Sequence, residues 1–208
     1  MTDAQTLDPS LLCFVFDSLP SAPARVLEVG AGDGALAQGI AAAGYEVVAI
    51  DPASSTDNVR PVPLHELSEP PGSFDAAVAV LSMHHVEPLR ESCRRLADVL
   101  RPGGTLVLDE FDVERFDAGA ARWWLAQHEP SSEGEPRPEA IVEDLRHHCH
   151  SFSDLLAVLE EWFELTQPIR GPYLYRWKLS PAVRSVEEPL IAAGRLPSTG
   201  VRVVGTRR

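Results

Sequence analysis

The chain has 208 residues, 44% of them hydrophobic and 24% charged, which suffices for one α/β domain with a sizeable core and is too few for two full domains. Its formal net charge of −13 repels phosphate backbones and argues against a large nucleic-acid footprint. No apolar run nears the roughly 20 residues that span a bilayer, and the scattered cysteines Cys13, Cys93 and Cys149 form no CxxC pair, which fits a reducing, cytoplasmic setting better than a disulfide framework.

The opening stretch MTDAQTLDPS is acidic where a secretory leader is basic. Residues 1–20 read as an N-terminal segment with one helix, Pro9 to Leu19, which Pro20 and Pro23 break. From Arg25 the pattern turns to strand–helix alternation. Val26–Val29 is a short apolar strand, a glycine turn follows, and Ala35–Ala43 is a small-residue helix closed by Gly44. Tyr45–Ile50 is a β-branched strand that ends at Asp51. Val59–Leu64 reads as a third strand, edge or irregular because of Pro61 and Pro63. Ala76–Leu81 is a continuous apolar run, the mark of a parallel strand buried on both faces. Leu89–Leu100 is a helix, Pro102-Gly103-Gly104 a turn, and Thr105–Leu108 the fifth strand. This alternation predicts an α/β fold whose parallel sheet carries helices on both faces.

After Glu110 the rhythm changes. Helices are expected at Ala118–His128 and Pro138–His147, with the polar stretch 129–136 as a loop between them. Ser151 or Ser153 caps a further helix that runs through Trp162. Residues 112–162 thus read as a helical insert or lid within a single domain, 1–208. Phe163–Gln167 and Tyr173–Trp177 read as strands, and Val201–Gly205 as the last one. Between them Ser185 and Glu188 form a capping box for a helix that ends at Gly194. The arginines of the last forty residues read as solvated charge on a frayed tail.

The turn Gly30-Ala31-Gly32-Asp33-Gly34 carries the chemistry. Glycines there let the backbone adopt positive φ and let a ligand come close, although a GxGxG alone also serves as a plain tight turn. About twenty residues on, Asp51 ends the second strand, placed to accept hydrogen bonds from ribose hydroxyls. Dinucleotide sites prefer GxGxxG, with a pyrophosphate on the helix N-terminus. Here the third glycine comes one position early, and Glu28 and Asp33 flank the turn. That negative charge suits a ligand carrying an ammonium and a sulfonium.

The sequence resembles the class I S-adenosylmethionine-dependent methyltransferases. VLEVGAGDG is similar to their first motif, VVAIDPA to the acidic end of their second strand, FDAAVAVLSMHHVEP to their fourth strand and its loop, and LRPGGTLVLDEF to their fifth. More loosely, the region 140–208 is similar to the small-molecule enzymes that act on ubiquinone precursors and sterols. The resemblance implies a Rossmann-like, seven-stranded, mostly parallel sheet with the helical insert after the fifth strand. It also implies S-adenosylmethionine as cofactor, S-adenosylhomocysteine as product, and a small-molecule acceptor methylated on oxygen or carbon.

By position, Glu28 and the backbone of Gly30, Ala31 and Gly32 would hold the methionine part, Asp51 the ribose, and Pro52 the adenine face. Leu81 and Ser82 would offer main-chain carbonyls. The acidic residue that often binds the adenine amino group has no counterpart, which leaves the backbone at Leu64 or the side chains of His65 or Glu66 to serve. His84 and His85 stand where a general base would reach an acceptor, or else they shape the loop. Asp109 and Glu110 end the fifth strand at the edge where ligands bind, and would orient an acceptor or cap a helix. Trp123, Trp124 and His147 are candidates for the acceptor pocket. In His147-His148-Cys149-His150 only His147 and His150 share a helix face, and no second ligand pair has metal spacing, so no metal is expected. A protein that keeps the fold as a non-catalytic binder and, further off, a nicotinamide-dependent oxidoreductase are the alternatives.

Overall fold

The computed structural model describes residues 8–129 and 136–208. The acidic opening residues and most of the polar stretch at 130–135 lie outside that range. Helix α1 (Pro9–Ser18) starts where the Asp8 carboxylate accepts the Ser10 amide at 2.9 Å, with proline in its first turn, where no amide is needed. It is followed by β1 (Arg25–Val29), α2 (Ala35–Ala42), β2 (Glu46–Ile50), β3 (Phe74–Val80), α3 (Leu89–Val99) and β4 (Leu100–Phe111). Then come α4 (Ala118–Leu125), α5 (Pro138–His148), α6 (Phe152–Leu159), β5 (Phe163–Leu165), β6 (Ile169–Gly171), α7 (Arg184–Ala192) and β7 (Gly200–Arg207). Ser151, not Ser153, caps α6, its hydroxyl accepting the Asp154 amide at 3.0 Å. No helix among the described residues is long and apolar enough to cross a membrane.

The seven strands form one sheet in the order β2-β1-β3-β4-β7-β5, with β6 also paired to β7. The first four are mutually parallel, and β5, β6 and β7 complete the sheet antiparallel. Alternation of side chains splits the core between the two faces. Leu27, Val29, Ala77, Leu106 and Leu108 pack under α3 and α6. Val26, Ala76, Val78 and Val107 pack with Leu11, Val15, Leu36 and Ile40 of α1 and α2. Small residues in β3 let these layers close, and Ala76 to Ala79 have no exposed surface. The carboxyl ends of β1, β2 and β3 meet on one edge, where open parallel sheets bind ligands.

Three expectations change. Val59–Leu64 is no strand. Arg60 makes a single bridge to Ile50, and the chain then enters a 3-10 turn at Leu64–Glu66. Pro61 and Pro63 lack the amides that a ladder needs. The strand at Thr105 is therefore the fourth, and the helical segment follows the fourth strand, not the fifth. Tyr173–Trp177 is also not a strand, but contains a 3-10 turn at Leu174–Arg176, while the strand lies earlier, at β6. The fully buried Glu187 carboxylate takes the amides of Tyr173, Leu174 and Tyr175 at 2.9, 3.0 and 2.9 Å, donors that a ladder would otherwise use. Finally, Ser185 donates to the Ala182 carbonyl instead of capping α7, so no capping box forms.

The C-terminal arginines are not a frayed tail. Arg176 and Arg202 both pair with the buried Asp109, Arg170 with Asp112, and Arg184 with Asp8 and Glu188. Arg207 closes β7 by donating to the Ala97 and Trp162 carbonyls. Helices α4 and α5 close over a separate cluster that includes Phe111, Phe116, Val142, Tyr173 and Leu174.

Candidate functional site

The glycine turn is laced to the end of β2. The Ile50 carbonyl accepts the amides of Gly30 (2.8 Å) and Ala31 (3.1 Å). The Asp51 carboxylate accepts the Gly32 amide on Oδ2 at 2.9 Å and the Ala53 amide on Oδ1 at 2.8 Å. Each oxygen keeps a lone-pair direction for a further donor. Gly30 and Gly32 have φ of 72° and 55°, the left-handed region that side chains disfavour. Gly30 has a second reason to be glycine, because a Cβ there would lie 2.1 Å from Ser82 Cβ. The two loops cross at that point, and the Ser82 hydroxyl donates to the Val29 carbonyl at 2.7 Å.

Glu28 lies one residue before the end of β1 and is 3% exposed. Its Oε2 has no hydrogen-bond partner among the described residues. Burial pushes its carboxyl up to about 8, helped by the negative charges of Asp33 and Asp51 and opposed by the Ala37 amide. A buried, unpartnered carboxyl normally costs stability.

The opposite wall is the loop after β3. Leu81, which is not glycine, has φ of 53° as the chain leaves the strand, and its amide donates to the Asp109 carbonyl at 2.8 Å. Strain of this kind, of order 1 kcal/mol, gathers at functional sites. Glu110 holds the loop. Its Oε1 accepts the Ser82 and Met83 amides at 3.1 and 2.8 Å, and its Oε2 meets His84 Nδ1 at 2.6 Å, all but the Ser82 contact fully buried. The two adjacent histidines therefore part ways. His84 is buried and turned to Glu110, whereas His85 is exposed and lines the cleft. Burial, with a contribution from His84, holds His85 below the usual imidazole range, so it is neutral at pH 7.

Between these walls lies a cleft of about 340 Å³. Of the residues singled out by sequence, Gly30, Asp51, Pro52, Leu64, Leu81, Ser82 and His85 line it. Ala31, Gly32 and Glu28 lie in and beneath the turn that forms its edge. His65 and Glu66 are not on its lining, and His65 Nδ1 is buried without a partner among the described residues. Val29, Ile50, Ala53, Val62, Pro63, Val86 and Glu87 complete the wall; the proline run from Arg60 to Leu64 was a sign of this, since it cannot pair as strand. The tryptophans are elsewhere. Trp124 stacks on Trp177 at 4.1 Å and its indole N–H donates to the Trp177 carbonyl at 2.9 Å, so it packs the α4–α5 layer onto the domain. Trp123 is half-buried in the same cluster. His147 lines a separate surface cavity of about 620 Å³, with Glu114, Arg146 and Asp154.

Residues 9–161 match a protein family described as a methyltransferase domain. The ubiquinone biosynthesis O-methyltransferase of Xanthomonas campestris pv. campestris (strain B100) is 35% identical to the chain, over 49% of this chain and 49% of that protein. The chain thus spans about half the length of the curated relatives it matches. Two solved structures share the fold over nearly the whole chain. An S-adenosylmethionine-dependent methyltransferase from Mesorhizobium loti has a TM-score of 0.60 at 18% identity, covering 93% of this chain and 95% of that one. The YcgJ protein of Bacillus subtilis has a TM-score of 0.61 at 18% identity, covering 96% and 98%.

Proposed function

The chain belongs to the methyltransferase-domain family, and on that premise we propose that it binds S-adenosylmethionine in the cleft at the ends of β1, β2 and β3 and methylates a small molecule in the cytoplasm, on oxygen or carbon. The observation that carries this reading is that Asp51 and the glycine turn stand together on one cleft, with Glu28 buried beneath the turn and one of its carboxyl oxygens without a partner among the described residues.

The residues fit the cofactor. Glu28 Oε2 is a buried acceptor without a partner among the described residues, open to a nearby ammonium. Asp51 is held rigidly by two backbone amides and keeps acceptor capacity for ribose hydroxyls. Space on the Cβ side of Gly32 is open, with nothing among the described residues within 4 Å. Pro52, Val62, Pro63 and Leu64 offer apolar walls suited to a purine face, and the backbone near Leu64 takes the place of the missing acidic residue. His65 and Glu66 have no role in this reading.

When bound, S-adenosylmethionine supplies a methyl group on a sulfonium, which leaves by in-line displacement. The chain's own contribution is positioning. Glu110 fixes the Ser82 and Met83 amides and so sets the wall that faces the turn. His84 serves that wall as Glu110's partner. His85, neutral and on the lining, is the side chain able to take a proton from an acceptor hydroxyl.

Calorimetry tests the reading. S-adenosylhomocysteine is expected to bind and NAD is not; the reverse result would reject the proposal. Asp51→Ala is expected to weaken S-adenosylhomocysteine about ten- to thirtyfold, the scale of a charged hydrogen bond. An unchanged affinity would remove Asp51 from the ribose site. Binding without methyl loss across a panel of phenolic and enolic acceptors would favour the non-catalytic alternative.

A further inference from the structure

The histidine-rich end of α5 and the loop after β3 form one seam. The His150 amide donates to the His84 carbonyl at 2.8 Å, and His150 Nε2 meets the Val86 carbonyl at 3.0 Å. These bonds bring His85 and Cys149 together, with Nδ1 and Sγ 3.9 Å apart. The His84 and His85 rings are 4.2 Å apart, centre to centre. One nitrogen of each ring and the Cys149 sulfur all lie within 4.8 Å of one another. The rings and the thiol are joined only by that long Nδ1–Sγ contact, and His85 Nδ1 also meets the His148 carbonyl at 3.4 Å.

We propose that His84, His85 and Cys149 bind a zinc-class divalent cation at the seam between the cleft loop and α5. The ligand types are those such ions take, two imidazoles and a thiolate. Bond lengths of about 2.0–2.1 Å to nitrogen and about 2.3 Å to sulfur require the three atoms to close in by less than about 1 Å each. The second layer is in place. Glu110 takes His84 Nδ1 at 2.6 Å, which fixes that ring's tautomer and leaves its other nitrogen with the lone pair a metal needs. Burial, then the negative charges of Asp144 and Glu110, hold the Cys149 thiol above its ordinary range, so its proton leaves only as the cation binds. On binding, the Cys149 thiol gives its proton to solvent and its sulfur electron pair to the cation, and each ring gives the lone pair of one nitrogen.

Entry is open from the side of His85, which is exposed, while His84 is buried and Cys149 is half-buried. Three protein ligands leave the fourth tetrahedral position to water or another small ligand. Because His85 also lines the cleft, a cation here would pin α5 to the cleft wall and would take a lone pair of the ring that otherwise serves as base, so the cation-bound form positions the wall and does not use His85 to accept a proton. The spacing of His147 to His150 does not foresee this site, since two of its ligands come from residues more than sixty positions earlier. The cation site stands whether or not the cleft takes S-adenosylmethionine.

Titration of the chelator-treated 208-residue chain with cobalt chloride tests the proposal. One equivalent is expected to bind, with the sulfur-to-cobalt charge-transfer band of a tetrahedral thiolate site, and zinc chloride is expected to displace it. Cys149→Ser should abolish the band, and His85→Gln should weaken cobalt at least tenfold. Thermal melts of the metal-free variants separate a lost ligand from a lost fold. No saturable cobalt or zinc binding overturns the proposal. So does a band that persists in Cys149→Ser, which would assign it to Cys13 or Cys93, or an affinity unchanged in His85→Gln.

Discussion

Gly30→Ala is expected to destabilise the fold by roughly 2–5 kcal/mol and to abolish S-adenosylhomocysteine binding. Two costs add here. Alanine at φ of 72° gives up about 1–2 kcal/mol in the left-handed region. The new Cβ also lies 2.1 Å from Ser82 Cβ and 2.8 Å from Ser82 Oγ, a collision that overpacked sites relieve at about 1–3 kcal/mol. Relief means moving one of two loops, and both are tied. Ser82 is held by the Val29 carbonyl and Glu110, and Gly30 by the Ile50 carbonyl. Either movement spoils the cleft, so binding fails even in the fraction that stays folded. Gly32→Ala is the control. Its φ is 55° but its Cβ meets nothing within 4 Å, so its stability cost is confined to the backbone, at about 1–2 kcal/mol. Urea denaturation of both variants gives the comparison. Equal midpoints would show that the contact with Ser82 does not constrain the turn.

How much of this was legible in the sequence depends on how local each cause is. The strand–turn–helix from Val26 to Ala42 is written in consecutive residues, and the structure reproduces it within a residue at each end. Asp51 was legible for the same reason, since strand length alone brings it to the turn. Elements governed by distant groups were not. Tyr173–Trp177 has strand-like composition, and only Glu187, a residue on another element, turns it into a 3-10 turn. His84 and His85 are equivalent on paper. What separates them is Glu110, 26 positions beyond His84 and brought to it by the pairing of β3 with β4. In Val59–Leu64 the signal was present and underweighted, because two prolines in a short run do more than demote a strand to the edge. The strained Leu81 had no sequence signal, as leucine is an ordinary residue for a strand end.

Glu28 gives the strongest prediction about the ligand, because its protonation couples stability to binding. Without ligand its carboxyl lies at about 8, against 4.5 for the free side chain. A raised acid contributes its full share of stability below the unfolded value, and that share is lost as pH rises through the folded one. Relative to Glu28→Gln, which does not titrate, the wild type is therefore expected to lose stability between about pH 4.5 and pH 8, by of order 5 kcal/mol in total. Binding runs the other way. An ammonium beside Glu28 favours the ionised form, so the ligand must find or create a carboxylate. If only that form binds, the ratio of wild-type to Glu28→Gln affinity for S-adenosylhomocysteine rises about 25-fold from about pH 6.5 to about pH 8.5. Titration of the ligand's own amine is common to both proteins and cancels in the ratio. Binding near pH 7 is then accompanied by proton release, which calorimetry in buffers of different ionisation enthalpy reads directly. Parallel affinity curves with no proton release would show that Glu28 never meets the cation. The methionine end of the cofactor would then have to be held by the turn's backbone alone.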